Sequence, residues 1–424
     1  MASPNDVAVA MFRLSKASLG IAIMTVRADT GSKTGATTSA TTSAKAPRDP
    51  RLDFFRGIAM LIIFIAHVPG NVWTLYIPAR FGWSDAAEMF VFCSGFAAAI
   101  AFGGTFIKAG FGYGTARIFY RVWQVYAAHI GMFFFIALLM AAGTYWLDTR
   151  NYIGQLNLTW FFEETPTAIL GLFTLTYVPN FFDILPMYIV ALVMVPAIMA
   201  LSLIHKLLPI VASLTLYWLN HFLGWGLPAE FWKQDFSREW FFNPLAWQLL
   251  FFTGFSFAMG WLPPPPKSVA LTWACALYVA ISVPTAHWPT AEDYEITRWV
   301  REVVWDFRGK TDFGILRYLH FLALAYLALR IVAGRESLLL SRWAMPIVTV
   351  GRNSLAVFLL SMGLARVFGM VLDVIGRDWL TYPLVNLGGM GILIAFAYWC
   401  TMLKRQPWRH VASPSKANET AAQT

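Results

Sequence analysis

The stretch Arg51-Leu-Asp-Phe-Phe-Arg-Gly-Ile-Ala-Met-Leu-Ile-Ile-Phe-Ile-Ala-His67 places two arginines, an aspartate and a histidine on a run that otherwise reads as membrane hydrocarbon. In a helix, eleven positions turn through about 1100°, leaving only about 20° over three full turns, so Arg56 and His67 share a face. Asp53, three residues before Arg56, lies on that same face. A stripe of acid, guanidinium and imidazole facing lipid would be expensive. It is therefore predicted to face the interior of a helix bundle or a wet cavity.

The rest of the chain supplies the bundle. Of 424 residues, 58% are hydrophobic and only 13% charged, a balance no soluble domain tolerates. Apolar runs of about twenty residues recur from 54 to 403. The fold class is all-α: a polytopic integral membrane protein with about ten transmembrane helices, expected at 54–77, 86–107, 120–147, 184–204, 208–226, 244–262, 268–284, 313–333, 344–371 and 380–403. The segment 166–179 is short for a crossing and is predicted interfacial or re-entrant. Residues 1–47 carry a Ser/Thr/Ala/Gly tract too poor in apolar residues to fold, 48–404 form the membrane domain, and 405–424 make a cytoplasmic tail.

Basic residues alternate between loops as these crossings require. One set holds Arg48 and Arg51, then Lys108, Arg117 and Arg121, then Lys206, Lys267, Arg335, Arg342, Lys404, Arg405 and Arg409. The other holds Arg80 and Asp85, then Asp148, Glu163, Glu164 and Asp183, then Glu230, Asp235 and Glu239, the mixed run 292–312, Asp373 and Asp378. Both termini are thus predicted cytoplasmic. The charge of +9 is explained by this orientation and not by a nucleic-acid partner. The three cysteines, Cys93, Cys275 and Cys400, lie in apolar runs with no CxxC, implying neither disulfide nor metal site. The outer segment 285–312 mixes aromatics with charges, suiting either a sugar or an interfacial helix.

Counting depth along each span sorts the polar residues. His67, about 20 Å along from Phe54, falls in the outer half of a core about 30 Å thick. Asp85, Glu88, Asp183, His221, Asn243, Gln248, Arg317 and His320 fall at the same side. Arg56, the i, i+4, i+7 set Arg117, Arg121 and Gln124, and Arg352 with Asn353 and Ser354 fall at the inner side. Clustered inner arginines suit a phosphorylated cytoplasmic molecule, although topology and snorkelling also place arginines there. His67 reads as functional, His129 and His221 as equally functional or structural, and His205 as topological.

Arg56, ten residues and then His67 resembles the opening motif of the acyltransferase-3 superfamily. More closely, the chain resembles the OpgC family, which succinylates osmoregulated periplasmic glucans. The resemblance rests on DPRLDFFRGIAMLIIFIAHVPGN (49–71), SDAAEMFVFCSGF (84–96), RVWQVYAAHI (121–130), LPMYIV (185–190), NPLAWQLLFFTGF (243–255), LRYLHFLALAYL (316–327) and VGRNSLAVFLL (350–360). It implies a ten-helix inner-membrane acyltransferase that takes acyl-CoA from the cytoplasm and modifies a periplasmic glucan. Succinyl-CoA is then a co-substrate, with no permanently bound cofactor and no metal. His67 matches the family's essential histidine and Arg56 its paired arginine. Asn353 stands where histidine is expected in the GR-x-S motif and is assigned no catalytic role.

Depth and charge add the remaining expectations. Asp53, Asp85, Glu88 and His320 join His67 and Arg56 as catalytic candidates. Arg317, whose guanidinium can bind a carboxylate through two hydrogen bonds, is the candidate for the succinyl carboxylate. Asp183, Asn243 and Gln248 are substrate-binding candidates, and Arg117, Arg121, Gln124 and Arg352 the CoA-binding ones. Two alternatives stand beside this expectation: acyl transfer with acetyl-CoA or another envelope polysaccharide, and a transporter or flippase of an anionic glycan precursor.

Overall fold

The computed structural model describes residues 49–147, 149–233 and 238–409. The lead 1–47, Arg48, Asp148, Asp235 and residues 410–424 of the tail lie outside the described residues. The unit beginning at Asp49 is helical throughout, with two isolated bridges, Tyr177 to Glu230 and Pro228 to Glu239, as the extended pairings among the described residues.

The principal helices are α1 Pro50–His67, α2 Ala86–Ala109, α3 Phe111–Trp146, α4 Ile184–Ile204, α5 Leu208–Leu223, α6 Pro244–Ala258, α7 Val269–Ala286, α8 Ile315–Val332, α9 Met345–Arg352, α10 Ser354–Ile375 and α11 Thr381–Arg405. Seven of them, α2, α3, α4, α7, α8, α10 and α11, are long and apolar enough to cross a membrane; α5 and α6 are shorter apolar helices. The segment predicted to be interfacial or re-entrant contains the nine-residue helix Thr165–Phe173.

Local chemistry moves several predicted boundaries. α1 starts at Pro50 because the Asp49 side chain accepts from Arg51 N at 2.9 Å and proline suits the first helical position. It stops at His67, well short of 77: Pro69 can neither donate to the helix nor leave Val68 helical, and Val68 is extended at φ −73°, ψ 115°. α3 runs 36 residues, taking Arg117 and Arg121 into the helix. The span predicted at 344–371 is two helices, parted at Asn353 with φ −113°. In the charged run 285–312, Trp288–Asp293 and Glu295–Val303 are helical, and the exposed Ile296, Trp299 and Val303 fit a helix lying in a membrane interface.

Two close backbone contacts organise the bundle. A Cβ on Gly57 of α1 would sit 2.0 Å from the Ile347 carbonyl oxygen of α9, and one on Gly351 of α9 would sit 1.8 Å from that of Asp53 on α1. Each helix therefore contributes a glycine where the other's backbone presses in, the small-residue packing that membrane helices use in place of a hydrophobic drive. Gly95 of α2 and Gly254 of α6 stand in the same reciprocal relation, against Phe251 and Phe92.

The loops predicted on the acidic side are tied together at one end of the bundle. Asn71 pairs with Asn386, Asp85 with Lys310, Tyr152 and Arg150 with Asp373, Asn157 with Glu230, and Asn243 with Asp312. At the basic end, Arg51 reaches Glu336 and Lys404 donates to Asn353.

Candidate active site

α1 and α10 run in parallel. Arg56 donates to Ser354 Oγ near the basic end, Phe64 meets Phe368 edge to face, and Pro69 packs on Gly369. Asp53 is fully buried and paired with Arg352, the last residue of α9, at 3.3 Å. Asp53 and Arg56 thus turn toward α9 and α10, as their shared face predicts. The break at Asn353 is held by its own side chain. Nδ2 donates to the carbonyls of Thr349 and Ala397 and to Thr401 Oγ1, while Oδ1 accepts from Lys404 Nζ at 2.7 Å. Arg352 also borders an apolar groove of about 590 Å³ with Arg405, Tyr398 and Trp399.

His67 closes the other end of the stripe. Its Nδ1 lies 2.6 Å from the Ile63 carbonyl oxygen, one helical turn back. A carbonyl can only accept, so Nδ1 carries the hydrogen and the neutral ring presents its lone pair at Nε2. Among the described residues Nε2 has no hydrogen-bond partner. The ring is partly exposed and stands edge to face against Phe181, with centroids 5.3 Å apart. A basic nitrogen with an open approach is what proton abstraction requires.

Beside it, at the mouth of α2, lies a charge-balanced quartet. Asp85 caps α2 and Glu88 returns the bond to the Asp85 backbone N–H at 2.7 Å, a capping box legible as D-x-x-E. Lys310 Nζ meets Asp85 at 2.5 Å, Arg317 Nη2 meets the same carboxylate at 3.3 Å, and Arg317 Nε stands 2.6 Å from Glu88 without aligned hydrogen-bond geometry. Glu88 is fully buried, so its cationic neighbour is indispensable. Arg317, expected to meet the succinyl carboxylate, here faces two carboxylates of the protein. His320, next to it on α8, shares a hydrogen bond with Ser84 at 2.7 Å and closes on Gly82.

Other predicted site residues are bonded within the protein. Asp183 accepts from the Phe241 backbone at 2.8 Å. Asn243 caps α6 and donates to Trp225 O, Asn220 and Asp312, and Gln248 bridges to Ser213. All three are buried, and the side-chain amides of Asn243 and Gln248 are bonded within the protein. Arg117 is held by Thr105 and lies over Phe102, and Arg121 donates to Gln124 at 3.2 Å, so this set is tied within the α2–α3 hairpin and not to Arg56 or Arg352 by any of these bonds. His129 is buried with both ring nitrogens unpartnered among the described residues, and His221 is bonded to Tyr217 O. Among the described residues no group of three or more His, Cys, Asp or Glu could hold a metal ion.

Three residues of this region escaped the sequence reading: Lys310, Phe181 and Arg366. Arg366 lies midway along α10, with its guanidinium carbon 4.8 Å from the centroid of the Phe181 ring that also meets His67. A lone arginine in SMGLARVFGM was the available signal.

A bundle with seven helices long and apolar enough to cross a membrane, and a histidine beside a cluster of buried charges, defines a polytopic membrane protein. Residues 48–405 match the family model described as OpgC protein, and the chain belongs to that family. Membership indicates a glucan-modifying acyltransferase. No curated protein and no solved structure matches the chain.

Proposed function

We propose that the protein is an inner-membrane O-succinyltransferase that moves a succinyl group from cytoplasmic succinyl-CoA to glucose hydroxyls of osmoregulated periplasmic glucans. The observation that carries this reading is the open Nε2 of His67 at the far end of a stripe whose near end is arginine-rich. An impermeant thioester and a carbohydrate on the opposite side need a protein path between them, and one helix here bears polar groups at both depths. Ten crossings and two cytoplasmic termini follow from the alternation of basic loops, with the basic end inside.

In this scheme the CoA nucleotide is held at the basic end, where Arg352 and Arg405 flank the groove with Tyr398 and Trp399, and where Arg117, Arg121 and Gln124 offer further donors. The pantetheine arm then spans the rise of about 17 Å from Arg56 to His67. Nε2 of His67 takes the proton of a glucose hydroxyl as its oxygen attacks the thioester carbonyl. The carbon–sulfur bond breaks, and the departing CoA thiolate receives the proton from the imidazolium, regenerating the neutral ring. The Asp85 quartet fixes the α2 mouth beside the histidine, and His320 and Ser84 border it.

The test is purified protein given succinyl-CoA and glucan, with release of free CoA thiol and succinylated glucan followed together by absorbance and mass spectrometry. Thiol release that depends on glucan supports transfer. Glucan movement without thiol release would establish the transporter alternative, and equal use of acetyl-CoA would remove the succinyl assignment.

A further inference from the structure

Arg366 carries a buried charge that the proposed transfer step does not use. Its residue is 5% exposed, and among the described residues its Nε and Nη2 are buried without a hydrogen-bond partner. Elsewhere in this region buried charge is balanced, since Lys310 and Arg317 answer Asp85 and Glu88. A guanidinium buried without a counter-ion is costly, and such groups in a membrane bundle are retained where a ligand or a path uses them.

Its position fits a ligand at the reacting centre. Ser354 and Arg56 touch at the basic end, and from there Arg366 lies twelve helical positions up α10 while His67 lies eleven up α1, rises of about 18 and 17 Å. Both groups meet the Phe181 ring, His67 at 5.3 Å and Arg366 at 4.8 Å, which caps their separation at about twice that distance. Phe181 itself is 47% exposed, so the space between them is approachable. Its backbone is held at φ 71°, a conformation unfavourable for a bulky side chain. The flanking residues keep it there: Phe182 is fully buried, Asn180 accepts from Arg238, and Asp183 accepts from Phe241 N. Strain maintained beside a functional group is a common mark of a ligand clamp.

Resting on the proposed acyl transfer, we propose that Arg366 binds the free carboxylate of a dicarboxylic acyl donor, holding its thioester carbonyl at His67 and selecting succinyl over acetyl. Guanidinium and carboxylate form paired, charge-assisted hydrogen bonds, and the donor would supply the counter-charge Arg366 lacks. Phe181 then acts as the spacer that keeps the guanidinium and the imidazole apart.

The experiment compares wild type, Arg366→Met and Arg366→Lys, each purified, in two assays. The first measures kcat/KM with succinyl-CoA and with acetyl-CoA on a neutral glucan. The second measures the thermal shift caused by free succinate against acetate and requires no turnover. The expected result is a loss of succinyl transfer about 10- to 100-fold larger than the loss of acetyl transfer in Arg366→Met, with partial recovery in Arg366→Lys. Succinate should stabilise wild type more than acetate does, and Arg366→Met should abolish that difference. Ligand-free Arg366→Met should melt no lower than wild type, because it removes an unbalanced buried charge. Equal losses with both donors, as a general role at the reacting centre would produce, overturn the assignment, as does a succinate shift that survives in Arg366→Met. Wild type that transfers neither acyl group would instead sink the acyltransferase reading, leaving the succinate shift to judge Arg366 by itself.

Discussion

His67 Nδ1 lies 2.6 Å from the carbonyl oxygen of Ile63, and this single bond fixes which ring nitrogen is basic. Replacing His67 with Gln keeps a polar side chain of similar reach but no titratable nitrogen. Transfer to glucan is expected to fall by about 10²- to 10⁴-fold. Membrane insertion and melting temperature should stay near wild type. Succinylated glucan from cells carrying the variant, measured by mass spectrometry, checks it; near-normal levels would remove His67 from catalysis.

Arg317 is expected to matter first for stability. Arg317→Met strands the fully buried Glu88 and weakens the pairing of Asp85, at a cost of about 3–5 kcal/mol. Adding Glu88→Met removes the stranded charge and should recover part of that loss. Thermal unfolding of the two single variants and the double variant in detergent gives the coupling. Strict additivity would show that the two side chains do not interact.

The α1–α9 contact predicts an asymmetry among glycines. Gly351→Ala places a methyl group 1.8 Å from the Asp53 carbonyl oxygen, so the helices must part, at a cost of about 1–3 kcal/mol and with Arg352 drawn from Asp53. Gly391→Ala on α11 meets nothing within 4 Å and should be neutral or slightly stabilising. Equal melting temperatures for the two variants would contradict the packing.

Asn71 and Asn386 exchange two amide hydrogen bonds, at 2.8 and 3.0 Å, and join the loop after α1 to α11. Asn386→Ala leaves buried amide atoms of Asn71 without this partner and should cost about 1–3 kcal/mol. The double replacement Asn71→Ala with Asn386→Ala should cost less than the two single losses together. Protease accessibility of the 68–85 loop offers a second readout, since losing the tie frees that loop from α11.

How much of this was legible follows from range. The stripe of Asp53, Arg56 and His67 could be read because helical periodicity fixes the relative direction of side chains a few turns apart, and the capping box at Asp85 and Glu88 is equally local. Apolar runs set the membrane class, and the alternation of basic loops anticipated which loops gather at one end. The end of α1 at His67 was misplaced although Pro69 marked it, because the apolar run continues past the proline.

What the chain alone settled, then, is which segments are helical and which side of α1 is polar, for both depend on neighbours within a few residues. Which charges remain available was decided only by packing. Arg317 and Arg366 look alike as single arginines in apolar helices, yet contacts over more than 200 residues of sequence bind Arg317 to Asp85 and Glu88, while Arg366 meets only the face of Phe181 among these groups. A buried charge is defined by its counter-charge, and counter-charges here come from helices distant in sequence.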